Sequence, residues 1–336
     1  MSGPLNVVVT DANLLPLRSE LSARLPHGTR LSWAVGASRA GLDAALADAH
    51  VLVGPELTPA MAQAAPHLRL VHVAGAGTDR VDLAALRPGV VVANTFHHER
   101  SIAEYVVWAA IDLRRELHRA DAALREGRWR SSVHDRRLPQ TQTLEAARVG
   151  FVGFGHIGAA AWRVLSAFGA TGCAVTGSGR LDPDSAGLTW AGGTDDLPRL
   201  LAESDVVVVC APLNDATRGM IGAPELMLLG ADGVLVNVAR GPVVQEQALY
   251  EALSTRRIRG AALDVWYSYP GPDGVARPSA HPFDALDNVL MTPHLSGVTR
   301  QTFLGRLADI ADNITALAEG RPLQRVVAPR PEEVTA

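Results

Sequence analysis

The stretch Val149 to Gly158, VGFVGFGHIG, constrains the fold of this chain more than any other. A short apolar run enters Gly153-Phe154-Gly155-His156-Ile157-Gly158, and an apolar, helix-prone run follows over residues 159–168. This is a G-x-G-x-x-G pattern with a strand before it and a helix after it, the context that gives the pattern meaning. Gly153 allows a tight turn, Gly155 lets the backbone approach a pyrophosphate, and Gly158 lets the helix pack close to its strand. The helix start at His156 and Ile157 offers its N–H groups and a partial positive charge to phosphates. Glycines punctuate many strand-to-helix turns, so the loop alone leaves an ordinary structural turn open.

The rest of the chain has to decide, and it alternates. Strand patterns at residues 5–10, 30–35, 51–53, 70–74 and 90–93 are separated by helical patterns at 14–25, 41–49 and 58–65. Residues 101–129 read as one long helix, with Ile102, Tyr105, Val106, Ala109, Leu113 and Leu117 on its apolar stripe. A polar loop over 131–142 follows. A second block then has strand patterns at 149–152, 173–176, 206–210, 234–238, 260–263 and 289–291. Its helices are expected at 159–168, 196–202, 223–229 and 245–254. A last helix is expected over 299–318, and the proline- and glutamate-rich tail beyond Gly320 is expected to be mobile. Strands alternating with helices imply βαβ units and parallel sheets, and 336 residues suffice for two such domains.

Bulk properties narrow the function classes. The net charge of −4 gives no basic footprint for nucleic acid. No apolar run approaches the roughly 18 residues of a membrane span. No Cys/His spacing resembles a metal site, and Cys173 and Cys210 read as buried thiols of a reducing compartment. The start, MSGPLNVVVTDAN, lacks a signal-peptide pattern, so a soluble cytoplasmic protein is the expectation.

Three stretches in the second block carry chemistry. Asn237-Val238-Ala239-Arg240-Gly241 ends a strand, at the sheet edge where open α/β folds bind ligands. An arginine there holds a carboxylate bidentately and polarises a carbonyl, or it merely caps the strand at the surface. Ala262-Leu263-Asp264-Val265-Trp266-Tyr267-Ser268-Tyr269-Pro270 ends the next strand. Met291-Thr292-Pro293-His294-Leu295-Ser296-Gly297 offers a histidine as proton donor or acceptor, although taken alone a structural histidine explains it equally well.

Together these stretches resemble the D-2-hydroxyacid dehydrogenase family over nearly the whole chain. The matching pieces run in order: Gly75-Ala76-Gly77-Thr78-Asp79, Ser101-Ile102-Ala103-Glu104, the glycine loop, Ala211-Pro212-Leu213, Asn237 to Gly241, Leu263-Asp264-Val265, and Pro293-His294 with Gly297. The resemblance implies two Rossmann-like or flavodoxin-like domains with parallel sheets and an active site in the cleft between them. Residues 1–98 with 298–336 would form the substrate domain, and 99–297 the NAD(P)-binding domain. Arg240 would bind the substrate's carboxylate and keto oxygen, His294 would be the acid/base, and the N–H groups of Ala76 and Gly77 would hold the carboxylate. Besides the glycine loop, Ala211, Pro212, Thr217, Val238, Ala239, Asp264 and Gly297 would line the cofactor. A small-molecule substrate and a homodimer are implied as well.

The chain departs from the family in three places. The glutamate that usually pairs with the catalytic histidine is Tyr269 here. Tyr269 would orient His294, or another acid would substitute, or activity would be weak or altered. The acidic residue that usually bonds the ribose 2′-OH falls at Thr176, in Thr176-Gly177-Ser178-Gly179-Arg180. Nothing acidic there repels a 2′-phosphate, and Ser178 and Arg180 suit one, so NADP(H) is favoured over NAD(H), unless Arg180 merely opens a loop. Finally, His97 and His98 would shape a substrate pocket or form a solvated hinge, with Trp266 and Tyr267 as further pocket candidates. Formate dehydrogenases have an asparagine at about the position of His98, which disfavours formate. The expected activity is hydride transfer between NADP(H) or NAD(H) and a small 2-ketoacid or D-2-hydroxyacid. Oxidation of a small anion such as formate or phosphite, or a dinucleotide-binding regulator with lost catalysis, are the alternatives.

Overall fold

The computed structural model describes residues 4–271 and 273–328. They divide between two compact units, Met1–His97 with Thr299–Ala336, and His98–Val298. The strands in chain order are β1 (Asn6–Val9), β2 (Arg30–Trp33), β3 (Val51–Val53), β4 (Leu70–His72), β5 (Val91–Ala93), β6 (Arg148–Val152), β7 (Thr171–Val175), β8 (Trp190–Gly192), β9 (Val206–Val209), β10 (Val234–Asn237), β11 (Gly260–Leu263), β12 (Val289–Met291) and β13 (Val326–Ala328). Among the described residues the first unit has one sheet, ordered β13-β5-β4-β3-β1-β2, and the second has one ordered β12-β11-β10-β9-β6-β7-β8.

The second sheet is parallel throughout and buried on both faces. The run Val206-Val207-Val208-Val209 explains how. Successive side chains of a strand point to opposite faces. Val206 and Val208 enter one core, with Ile102, Tyr105, Val106 and Leu113 of the Glu99–Arg115 helix and Leu165 of the His156–Ala167 helix. Val207 and Val209 enter the other, with Leu200, Leu201, Leu226 and Leu249. Each valine so buried is worth about 1.5–3 kcal/mol. Strand order reverses between β6 and β9, which makes the crevice beyond their carboxyl ends the natural ligand position.

Three expectations are corrected here. The long helix over 101–129 is two helices, Glu99–Arg115 and Leu117–Arg125, separated by Glu116 in a left-handed conformation (φ 53°). Such a conformation costs a non-glycine residue roughly 1 kcal/mol or more. Local polar bonds offset it. The Asp112 carboxylate accepts both the backbone N–H and the ring Nδ1 of His118. Burial pushes the Glu116 carboxyl up, but Arg130, Arg119 and Arg259 around it hold it below the usual carboxylate range. Second, the sheet has seven strands rather than six, because three-residue β8 pairs with β7. Its sequence, Trp190-Ala191-Gly192, is too short and glycine-bearing to read as a strand. Third, the chain beyond Gly320 is not loose throughout. Val326 pairs antiparallel with Ala93, extending the first sheet. Residues 329–336 of the same tail lie outside the described residues.

In the first unit the Arg300–Glu319 helix packs on β1, β3 and β4 through Phe303, Leu307, Ile310 and Ile314. His72, fully buried in β4, faces this helix: its Nε2 lies 3.0 Å from Asn313 Nδ2. Burial pushes the His72 pKa down to about 4, so the ring is neutral and accepts the Asn313 amide hydrogen at Nε2.

Candidate active site

The second unit presents its polar residues where β6 to β12 end. Gly153 leaves β6 at φ 89°, and a side chain there would stand 2.7 Å from the backbone nitrogen of Ala211. The loop after β6 therefore lies directly on the loop after β9. Above Gly155 there is open space, and Gly155 caps the helix that begins at His156. Gly158 packs tightly, its absent side chain 3.1 Å from the Gly153 carbonyl and 3.4 Å from Cys210 Sγ. Burial pushes the thiols of Cys173 and Cys210 up to about 11 and 12. These geometries suit the cradle expected for a pyrophosphate: a tight first turn, an uncovered middle glycine and a close-packed third.

After β7 the chain turns sharply. The Gly179 N–H donates to the Thr176 hydroxyl at 3.1 Å, and the Arg180 N–H donates to the Ser178 hydroxyl at 3.3 Å. Ser178 and Arg180 are exposed, and no acidic side chain lies within the turn itself. After β9, Ala211 is buried and Pro212 exposed. Thr217 closes the loop on itself, donating from its hydroxyl to the Pro212 carbonyl at 2.6 Å and accepting the Asn214 N–H at 2.9 Å. Its hydroxyl is thus committed to loop shape.

β10, β11 and β12 are neighbours in the sheet, with Asn237 beside Leu263 and Leu263 beside Met291. Their ends carry the three chemical stretches side by side, at strand spacings of about 5 Å. After β10, Val238 and Ala239 are buried. Asn237 holds the turn at both ends, accepting the Ala239 N–H at 3.1 Å and donating to the Arg240 carbonyl at 3.2 Å. Arg240 Nη1 donates to the Ala239 carbonyl at 2.8 Å. Gly241 has no room for a side chain, which would stand 2.4 Å from the Trp266 carbonyl.

Asp264 organises the segment that carries His294. It is fully buried, and each carboxylate oxygen accepts twice: Oδ1 from Thr292 Oγ1 (2.7 Å) and the Leu295 N–H (2.8 Å), Oδ2 from the Ser296 N–H (3.0 Å) and hydroxyl. A carboxylate has about four acceptor sites, so this one is saturated by the chain itself. The carboxylate thus anchors the segment that carries His294. Thr292 has one proton and the carboxylate only accepts, so Thr292 donates to Asp264 and the Tyr105 hydroxyl, 2.9 Å away, donates to Thr292. The anchored loop holds exposed His294 at φ 56°.

Tyr269 stands beside that histidine, with ring centroids 5.7 Å apart and tilted by 52°. Its hydroxyl accepts the Trp266 N–H at 3.2 Å. The two rings thus lie beside each other at a tilt, with the tyrosine hydroxyl bonded to the Trp266 backbone. Trp266 and Tyr267, expected at a substrate pocket, each bond within the unit. Trp266 Nε1 donates to the Thr292 carbonyl at 2.8 Å, and the Tyr267 hydroxyl to the Val244 carbonyl at 2.9 Å. His98 begins the Glu99–Arg115 helix and is buried against Gly297, whose absent side chain would meet its Cβ at 3.2 Å.

In the first unit, Gly75, Ala76 and Gly77 follow β4. His97 is half-buried in this unit. Its ring lies over Gly305, where a side chain would stand 2.5 Å from Cγ, and its Nε2 bonds Asp309 at 2.9 Å.

Comparison with known proteins decides the family. Residues 107–296 match the model of the D-isomer specific 2-hydroxyacid dehydrogenase, NAD binding domain. The chain belongs to the D-isomer specific 2-hydroxyacid dehydrogenase family. Over 330 residues it is 30% identical to D-3-phosphoglycerate dehydrogenase of Methanocaldococcus jannaschii, covering 96% of this chain and 59% of that one. A second archaeal phosphoglycerate dehydrogenase is covered over 48% of its length, so the chain spans about half to three-fifths of these relatives. It is 32% identical to the mitochondrial formate dehydrogenase of Solanum tuberosum, over 83% of this chain and 72% of the relative. Among solved structures, the NADPH-dependent glyoxylate/hydroxypyruvate reductase of Sinorhizobium meliloti, in complex with NADP and malonate, superposes with a TM-score of 0.77 at 28% identity, covering 97% of each chain. Among the described residues no helix is long and apolar enough to cross a membrane, and none form a group of three or more metal-ligating side chains.

Sequence reasoning missed Asn94, Tyr105, Thr292 and Asp309 as partners of the functional loops. Tyr105 carried a faint signal, a tyrosine on an apolar helix stripe, which when buried needs a partner for its hydroxyl.

Proposed function

We propose that this protein is a 2-hydroxyacid dehydrogenase that prefers NADP(H) and acts as a reductase of small 2-ketoacids. The observation that carries the reading is three successive strand ends: Arg240 follows β10, Asp264 follows β11, and Asp264 pins with four hydrogen bonds the segment after β12 that carries His294. Gly153, Gly155 and Gly158 would hold the pyrophosphate of a dinucleotide with the N–H groups of His156 and Ile157, and Ser178 and Arg180 its 2′-phosphate. When bound, a reduced nicotinamide supplies hydride to the keto carbon. The chain's own part is electrostatic and acid–base. Arg240, permanently charged, holds the carboxylate and stabilises negative charge developing on the keto oxygen. His294 delivers the proton from its ring to that oxygen. Ala76 and Gly77 offer backbone N–H groups to the carboxylate.

Absorbance assays of purified protein with NADPH or NADH, across a panel of 2-ketoacids, formate and phosphite, test this reading. Ketoacid turnover supports it. Turnover of formate or phosphite alone would replace it with small-anion oxidation, and tight cofactor binding without turnover with a regulator.

Two substitutions test the details. Arg180→Ala removes a charged contact to the 2′-phosphate, worth about 1.5–3 kcal/mol, and so should raise the NADPH KM by roughly ten- to a hundredfold. The NADH KM should stay unchanged; an equal effect on both cofactors refutes the NADP(H) preference. Tyr269→Glu places a carboxylate beside His294, which stabilises the charged ring. Ketoacid reduction needs that protonated ring, so the reductase profile should extend to higher pH. An unmoved pH–rate profile means that position 269 does not tune His294.

A further inference from the structure

A trans peptide holds its carbonyl and its following N–H in one plane, pointing in opposite directions. Whatever holds a carbonyl therefore aims the next N–H. The two N–H groups assigned above to the substrate's carboxylate, those of Ala76 and Gly77, belong to the peptides whose carbonyls are those of Gly75 and Ala76. Both carbonyls are held from the end of β5. The Gly75 carbonyl accepts the Thr95 N–H at 3.1 Å, continuing the β4–β5 ladder beyond Val73 and Ala93. At the next residue the ladder is replaced by a side chain: Asn94 Nδ2 donates to the Ala76 carbonyl at 2.8 Å.

Asn94 is itself rigidly placed. It is 6% exposed, and its backbone N–H donates to the Arg325 carbonyl at 3.2 Å, just before β13. The fully buried Thr95 beside it donates from its hydroxyl to the Asp309 carboxylate of the Arg300–Glu319 helix at 2.5 Å. Arg325 Nε reaches the same carboxylate at 3.0 Å. The C-terminal helix and strand thus brace the two residues that orient the loop.

We propose that Asn94 is a positioning residue for substrate binding, aiming the Gly77 N–H at the carboxylate of a 2-ketoacid by holding the other end of the same peptide. The proposal rests on the reading of Ala76 and Gly77 as carboxylate donors. It makes Asn94 act on affinity for the carboxylate and not on the hydride step or the cofactor.

Asn94→Asp keeps the shape but sets an acceptor against the Ala76 carbonyl. The measurements are kcat, the KM values for glyoxylate, hydroxypyruvate and NADPH, the Kd for oxalate by calorimetry with cofactor present, and the thermal midpoint. The expected result is a rise of about tenfold in ketoacid KM and oxalate Kd, with kcat within about threefold and NADPH KM within about twofold of wild type. Unchanged ketoacid KM and oxalate Kd overturn the proposal. So does a parallel loss in both substrates and in the thermal midpoint, which marks a merely structural role. Should Asn94→Asp not fold, Asn94→Ser, smaller and unable to span the same distance, is read by the same criteria. A wild type that turns over ketoacids beside an unaffected variant removes this proposal alone. A wild type that neither turns over ketoacids nor binds oxalate removes the functional reading and this proposal with it.

Discussion

Replacing His294 by glutamine is expected to lower kcat for ketoacid reduction by about 10²- to 10⁴-fold, the usual worth of a positioned proton donor. The loss should fall on kcat, because the proton is needed when charge develops on oxygen, not when the ketoacid binds. Glutamine retains a polar side chain of similar reach but carries no transferable proton near neutral pH. The backbone at this position is left-handed, at φ 56°, and is held by Asp264 through its neighbours Thr292, Leu295 and Ser296, so the loop should survive the exchange. Cofactor KM should stay within about twofold, as expected for an interaction made only in the transition state. Steady-state kinetics at several pH values check this. A variant within about tenfold of wild-type kcat would remove His294 from the acid/base role.

Asp264→Asn is expected to act on stability and on the reaction together. The carboxylate is fully buried and accepts four donors, two on each oxygen. An amide keeps one accepting oxygen and turns an NH₂ group toward the other two donors. Leaving buried donors unpaired costs about 1–3 kcal/mol, and more where a charge is lost. A loss of roughly 2–3 kcal/mol should lower the thermal midpoint by about 5–10 °C for a unit of this size. Because the freed donors lie on the His294 segment, kcat should fall as well, while Gly153, Gly155 and Gly158 are untouched and cofactor affinity should change little. Thermal melts and single-turnover kinetics would separate the two effects. If cofactor affinity collapses while the melting temperature holds, Asp264 contacts the cofactor directly and its anchoring role is refuted.

These two residues also divide what was legible in the chain from what was not. The place of His294 just beyond a strand end could be read from its local segment, a short apolar run before a histidine and a glycine, while that segment alone left a structural histidine equally open. Asp264 could be placed at a strand end for the same reason, but its hydrogen-bond partners could not be read. Its partners lie 28 to 32 positions away, and nothing local tells a cofactor-facing carboxylate from one saturated by its own chain. The same holds for His97, Trp266 and Tyr267, each of which looked like a pocket residue. Each bonds a distant partner: His97 to Asp309, Trp266 to Thr292, Tyr267 to Val244. The break at Glu116 escaped the helical pattern because the apolar stripe continues through it. Arginines far along the chain stabilise the left-handed residue.

By itself the sequence determined what depends on neighbours along the chain. The apolar runs set the strands, the alternation with helices set the parallel sheets, and Gly153, Gly155 and Gly158 set the turn into the His156–Ala167 helix. Backbone conformation and side-chain alternation act over a few residues, so short patterns suffice to record them. The tertiary structure decided which polar groups are occupied and by whom. Asn94 meets Ala76 across 18 positions and Thr95 meets Asp309 across 214. Hydrogen bonds are directional and saturable, and their assignment exists only once the sheets have brought their partners within 3 Å.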